Sequence, residues 1–220
     1  MNAKKFCFII CVKREDYLKE CIFYLEQLKV PEGYSMQIQP IRRAASMAGG
    51  YNMAMQASDA KYKIYLHQDC FIINPHFLYD LLMVFENDKK IGMMGVIGSP
   101  QTPPDLLPWH GVRIGNIYSK DVENTDFKDY AFKLTDGIKD VECIDGMLMA
   151  TSADLPWRED LFDGWDLYDL SQSFEFRKAG YRVVVPEQKK PWVAHDSENM
   201  SLQGYDKFRL IALEEYRDLL

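Results

Sequence analysis

A histidine, a glutamine and an aspartate stand together at His67-Gln68-Asp69, between two apolar runs. Ile64, Tyr65 and Leu66 precede them, and are residue types that favour a strand. Phe71, Ile72 and Ile73 follow, and then Asn74-Pro75, a pair suited to opening a helix as cap and first helical residue. A carboxylate just past the end of a buried strand is where an open α/β sheet places its ligand chemistry. Asp69 is therefore a candidate for binding chemistry, and a solvated turn aspartate would satisfy the same local pattern.

The segments that must position Asp69 are regular. Residues 6–12 form a continuous apolar run, as a strand buried on both faces does. From Glu15, apolar residues recur at Leu18, Cys21, Ile22, Leu25 and Leu28, which is helical spacing, and Pro31-Glu32-Gly33 ends it. Residues 36–41 read as a second strand. Ser46 then caps a helix carrying Met47, Tyr51, Ala54 and Met55 on one face. Residues 61–66 are the third strand. A third helix bears the stripe Leu78, Leu81, Leu82 and Phe85, and residues 91–97 are the fourth strand. This alternation predicts a parallel sheet with right-handed crossovers. Its strand ends would gather Val12-Lys13, Arg42-Arg43 and residues 67–69 on one edge. Two basic segments beside an acidic tip suit an anionic ligand with a metal ion, as they also suit salt-bridged surface loops.

The second half is less regular. Four prolines between Pro100 and Pro108 exclude a strand or helix there. The stretch to about residue 140 holds one expected strand near 112–118, and serves as a binding loop or as an insertion. Residues 141–150 resemble two strands joined by a bend at Asp145-Gly146. A helix is expected over 170–179, with Asp169 as its cap, Gln172 completing a capping box and Gly180 after its end. Residues 183–186 form a short strand, residues 191–197 are extended and contain His195, and residues 205–220 form an amphipathic surface helix.

The 220 residues carry a formal net charge of −7, which argues against broad binding of a nucleic-acid backbone. The composition, 47% hydrophobic and 27% charged, leaves no part that reads as disordered. Five cysteines are scattered without metal spacing and read as reduced core residues. The short apolar run near the start is followed by charge and lacks a cleavage site, so the expected location is the cytoplasm. No run reaches a membrane span, and a peripheral membrane contact is compatible with the chain. Oligomeric state is not readable from it.

The order of these segments resembles the GT-A glycosyltransferases, in particular the inverting family-two group, over nearly the whole chain. Three places carry it: Ser46 to Met55, with Asn52; His67-Gln68-Asp69, which is similar to the Asp-x-Asp metal motif; and Tyr168-Asp169-Leu170-Ser171 through Gly180-Tyr181-Arg182. The resemblance implies one GT-A-like domain over 1–220, a three-layer fold with a mainly parallel sheet. Residues 1–98 would be the nucleotide-binding half, and 99–220 the acceptor-side half with a C-terminal helix. Three departures stand out: His67 replaces the first Asp of the metal motif, Ser171 replaces a second acidic residue, and Val12-Lys13-Arg14 replaces a Pro-x-x-Asn turn.

The implied activity moves a sugar from a nucleotide diphosphate to an acceptor hydroxyl with inversion. A divalent cation, Mn²⁺ or Mg²⁺, would sit on Asp69 with His195 as a further ligand and neutralise the leaving group. Asp169 would be the base, with Asp166 as its substitute. Val12, Arg42, Ser46, Asn52, Gln68 and Asp69 would hold the nucleotide sugar. Trp109, Asp145, Gly146, Trp165 and Trp192 would meet sugar or acceptor, a glycan or a glycosylated molecule. Trp157 reads as structural. The alternative is a non-catalytic nucleotide-sugar or glycan-binding protein on the same scaffold, given force by His67. A nucleotidyltransferase is disfavoured, because no glycines accompany Lys13-Arg14.

Overall fold

A computed structural model describes residues 1–107, 110–120, 126–132, 136–196 and 204–220. In chain order the first half holds β1 (Asn2–Val12), α1 (Glu15–Glu26), β2 (Ser35–Arg42), α2 (Met47–Ala57), β3 (Ala60–His67), β4 (Cys70–Ile72), α3 (Phe77–Asn87), β5 (Ile91–Gly95) and β6 (Ile97–Ser99). The second half holds β7 (Ile114–Lys120), β8 (Lys128–Ala131), β9 (Ile138–Asp140), β10 (Cys143–Ile144), β11 (Leu148–Thr151), α4 (Tyr168–Lys178), β12 (Arg182–Pro186), β13 (Val193–Asp196) and α5 (Tyr205–Glu215).

Two sheets result. The larger runs β2-β1-β3-β11-β5-β12-β9, and the smaller β10-β6-β7-β13-β4, with β8 added on β7. β2, β1 and β3 are parallel, as the alternating pattern predicts. The fourth strand does not lie directly beside the third. β11 inserts between β3 and β5, antiparallel to both. The expected strand over 91–97 also divides at the buried Val96, its ends entering different sheets. Likewise β10 and β11 are not a hairpin: the bend at Asp145-Gly146 passes the chain from the small sheet to the large one.

The large sheet is sandwiched between helices. Phe6, Phe8 and Ile10 of β1 face α1 and α3, through Leu18, Leu25, Leu78 and Leu81. The alternate residues Cys7, Ile9 and Cys11 face α2, through Met47, Tyr51 and Ala54, and the α4 residues Tyr168 and Phe176. This two-sided burial explains the unbroken apolar run, and each large side chain buried contributes about 1.5–3 kcal/mol. α5 packs on α4 through Phe208, Ala212, Phe174 and Leu170. One charge lies in this core. Lys63 of β3 is fully buried, and its Nζ donates to both Asp154 carboxylate oxygens at 2.8 and 2.9 Å and to the Ala60 carbonyl at 2.8 Å.

Local signals set most boundaries. The Ser46 hydroxyl accepts from Gly49 N at 3.0 Å and caps α2. Gly180, with φ +84°, closes α4 as expected. α3 starts two residues later than Asn74-Pro75 suggests. Asn74 instead braces the preceding turn, accepting from His76 N at 3.0 Å and donating to Asp80 at 2.7 Å. Among the described residues no helix is long and apolar enough to cross a membrane.

Candidate functional site

β3 delivers His67 to the edge of the large sheet, opposite Cys11 of β1. The His67 N–H donates to the Met147 carbonyl at 3.0 Å, so the turn before β11 fixes where the strand ends. The chain then crosses to β4 in the small sheet. β13 pairs antiparallel with β4, which sets His195 opposite Cys70, and Asp196 N donates to the Asp69 carbonyl at 2.9 Å. Residues 128 positions apart in sequence, 67 and 195, thereby meet around one carboxylate.

His67, Asp69 and His195 each offer one ligand atom, all within 4.8 Å of one another. Asp69 Oδ1 lies 3.6 Å from His195 Nε2 and 4.0 Å from His67 Nδ1. Two imidazoles and a carboxylate so close are a donor set that one divalent cation can share. Burial would raise the Asp69 carboxyl, but the hydrogen bond from His195 and the adjacent His67 hold it below the usual carboxylate range. Burial would lower the His195 imidazole, and Asp69 reverses this and holds it above the ordinary value. For His67 burial wins, and its imidazole is pushed down.

The second part of the site is the start of α4. Asp169 is not the cap expected of it. Leu167 takes that place in a left-handed conformation, φ 58°, with no side-chain cap, and Asp169 lies inside the first turn. Its carboxylate accepts from Leu170 N and from Gly146 N, both at 2.9 Å. Gln172 is also drawn away from the expected capping box, donating to the Leu155 carbonyl at 2.9 Å. Burial, together with the neighbouring Asp145, pushes the Asp169 carboxyl up to about 7 despite these donors. Gly146 is required here, since a Cβ would run into the Tyr168 hydroxyl. Asp145 accepts from Met147 N at 3.0 Å and so shapes the same turn. Asp166, two residues before α4, is also raised by burial.

Two residues that sequence reasoning did not assign to the metal complete the arrangement. His67 joins Asp69 and His195, and its Nε2 lies 2.5 Å from the Tyr168 hydroxyl. The substitution of His in the motif was itself the available signal for the first; nothing local marks Tyr168.

The remaining expected site residues divide. Gln68 accepts from Lys13 N at 2.9 Å and Arg14 N at 2.8 Å, tying the turn after β1 to this edge. Val12 is half-buried at the end of β1. Arg42 is exposed and forms a two-pronged pair with Glu15 at 2.6 and 3.0 Å. Ser46 is spent on the cap of α2. Asn52 is buried, and its amide pairs with the Trp157 backbone at both ends, 2.9 and 2.8 Å. That pairing gives it a structural task. Trp192 is half-buried and packs against the core, edge-on to Phe77 at 5.9 Å. Trp165 is 52% exposed, immediately before Asp166, and Trp157 is buried as expected. Trp109 lies outside the described residues. A cavity of about 530 Å³ opens between residues 101–105 and 110–112, and its lining includes none of His67, Asp69, Asp169 and His195.

This two-sheet architecture, with an acidic strand tip facing a helix start, is the GT-A fold. Residues 7–216 match the sequence profile of the glycosyltransferase-like family, and the chain belongs to that family. No curated protein matches the sequence. Among solved structures, the chain is similar to GalNAc-T7 with UDP, GalNAc and Mn²⁺, at TM-score 0.62 and 12% identity, covering 99% of this chain and 49% of that one. It is similar to S. aureus TarS 1-349 with UDP, at TM-score 0.57 and 13% identity, covering 96% and 65%. The mannosyltransferase PcManGT from Pyrobaculum calidifontis, with GDP-Man and Mn²⁺, gives TM-score 0.55 and 12% identity, covering 94% and 60%. The chain thus spans two thirds or less of each of these proteins, and at these identities the likeness is one of fold.

Proposed function

We propose that this chain transfers a sugar from a nucleotide-diphosphate donor to an acceptor hydroxyl, with inversion and with help from a divalent cation. One observation carries the reading. A cation-binding trio and a carboxylate with a raised pKa stand on opposite sides of one hydrogen bond, between His67 and Tyr168.

His67, Asp69 and His195 would hold the ion, either Mn²⁺ or Mg²⁺. When bound, it supplies positive charge to neutralise the departing diphosphate. The acceptor oxygen bonds to the anomeric carbon as the carbon–phosphate-oxygen bond breaks, and that electron pair leaves with the diphosphate. The acceptor proton passes to the Asp169 carboxylate. A base with a pKa near 7 is matched to this task at neutral pH. The donors Leu170 N and Gly146 N orient its two oxygens, and Asp166 would be its substitute. Attack by a single base-activated hydroxyl from the face opposite the leaving group inverts the anomeric centre. Residues 1–98 would hold the nucleotide, with Gln68 and the turn after β1 at its edge. Residues 99–220 would hold a glycan or glycosylated acceptor, with Trp165 as the exposed aromatic face.

The test is a thermal-shift titration with uridine, guanosine and thymidine diphosphates, each with and without Mn²⁺, on wild type and Asp69→Ala. Ligand at about 100 times its dissociation constant adds roughly 2.7 kcal/mol. A metal-dependent shift with one nucleotide, lost in Asp69→Ala, supports the reading. A flat response to all three removes the donor site, and leaves the GT-A likeness as one of fold.

A further inference from the structure

We propose that Tyr168 holds His67 as a metal ligand through Nδ1, and that the resulting set of two imidazoles and one carboxylate prefers first-row transition ions to Mg²⁺. The inference deepens the reading above and rests on it only in taking this cluster as a cation site.

The two nitrogens of His67 have different surroundings. Nε2 is committed to the Tyr168 hydroxyl at 2.5 Å, whereas Nδ1 faces Asp69 Oδ1 at 4.0 Å, the same oxygen that lies 3.6 Å from His195 Nε2. A histidine that ligates through one nitrogen carries its proton on the other, and a hydrogen-bond acceptor there fixes both tautomer and ring orientation. The Tyr168 hydroxyl oxygen can accept the hydrogen bond from that N–H. Its position is rigid: the side chain is buried, its ring lies 5.9 Å from Tyr51 and 6.2 Å from Trp157, and Gly146 packs directly beneath the hydroxyl. Of the direct contacts to His67, the hydroxyl is the one a mutation can remove without disturbing the metal-facing oxygen.

The metal preference follows from ligand chemistry. Mg²⁺ is hard, favours oxygen and keeps its waters. Affinity of nitrogen sites rises from Mn²⁺ through Co²⁺. An Asp at position 67 would make the trio mostly oxygen; His67 makes it mostly nitrogen.

The experiment titrates metal-free protein calorimetrically with MgCl₂, MnCl₂ and CoCl₂, without nucleotide, and records the visible spectrum of the Co²⁺ form. Wild type should bind Mn²⁺ at least about tenfold more tightly than Mg²⁺, and Co²⁺ more tightly still. Tyr168→Phe keeps the buried ring, so its melting temperature reports any packing loss. It should weaken Mn²⁺ and Co²⁺ by about 10–100-fold and shift the Co²⁺ spectrum. His67→Asp should narrow the ratio of Co²⁺ to Mg²⁺ affinity. Equal affinity for Mg²⁺ and Mn²⁺, no metal binding, or an unchanged Co²⁺ spectrum in Tyr168→Phe each overturn the proposal. Failure of the transferase reading looks different: these metal titrations succeed, but no nucleotide diphosphate binds the loaded protein.

Discussion

The Tyr168 hydroxyl lies 2.5 Å from Nε2 of His67, and the very next residue along the chain is Asp169. One helical turn therefore touches both halves of the proposed chemistry. Its first residue reaches the strand tip that would hold the cation, and its second presents the carboxylate that would take the acceptor proton.

Replacing Asp169 by Asn keeps the shape and removes the base. Transfer should fall by about 10²–10⁴-fold, the usual worth of general base catalysis, while nucleotide diphosphate binding stays within a factor of about two. In wild type the rate should climb with pH and level off above about 7, because the ionised carboxylate is the active form. A rate that ignores pH between 5.5 and 8.5, or an active Asp169→Asn, would assign the base elsewhere.

The same carboxyl makes stability depend on pH in the opposite sense to a salt-bridged Asp. It ionises near 3.9 in the unfolded chain and at about 7 in the folded one. Between those values the folded protein binds more protons, so the Asp169 contribution to stability falls as pH rises through the window. The total loss is roughly 4 kcal/mol at about 1.4 kcal/mol per pH unit. Urea midpoints at pH 5 and pH 8 should therefore differ more for wild type than for Asp169→Asn.

Asn52 separates structural from ligand roles. Its amide bonds both the N–H and the C=O of Trp157; because Glu159 N also donates to that carbonyl at 2.8 Å, Asn52→Ala takes the partner only from the buried Trp157 N–H. The expected loss is about 1–3 kcal/mol of stability, read as a lower melting temperature, with nucleotide affinity of the folded fraction unchanged. A large affinity loss without destabilisation would return Asn52 to the nucleotide site.

Trp165, half exposed beside Asp166, should behave in the reverse way. Trp165→Ala should leave the melting temperature and donor affinity unchanged and raise the acceptor KM by about 2–10-fold, as loss of an aromatic contact does. Unchanged acceptor kinetics would make it an ordinary surface residue.

Local chemistry made much of the fold readable. Unbroken apolar runs marked the doubly covered strands, and Ser46 and Gly180 acted where their types predict. Asp69 and His195 could be named because a motif and its order in the chain carried them. What stayed hidden depends on long-range pairing. β11 is four residues long and sits between β3 and β5 by cross-strand register alone. The cap position of α4 goes to Leu167 because the Asp169 carboxylate is drawn to Gly146 N, 23 positions earlier. The contact between His67 and Tyr168 spans 101 positions and has no periodicity to betray it. The edge-on packing of Trp192 against Phe77 was hidden too, because aromatic type does not reveal which way a ring turns.

The buried Lys63, paired with the half-buried Asp154, sits four residues upstream of His67 on the same strand. Side chains alternate along a strand, so a slip of one residue would turn His67 away from Asp69 and would also drive Lys63 into the opposite, wholly apolar face. An unpaired ammonium there costs several kcal/mol. The ion pair at one end of β3 thus acts as a check on assembly at the other.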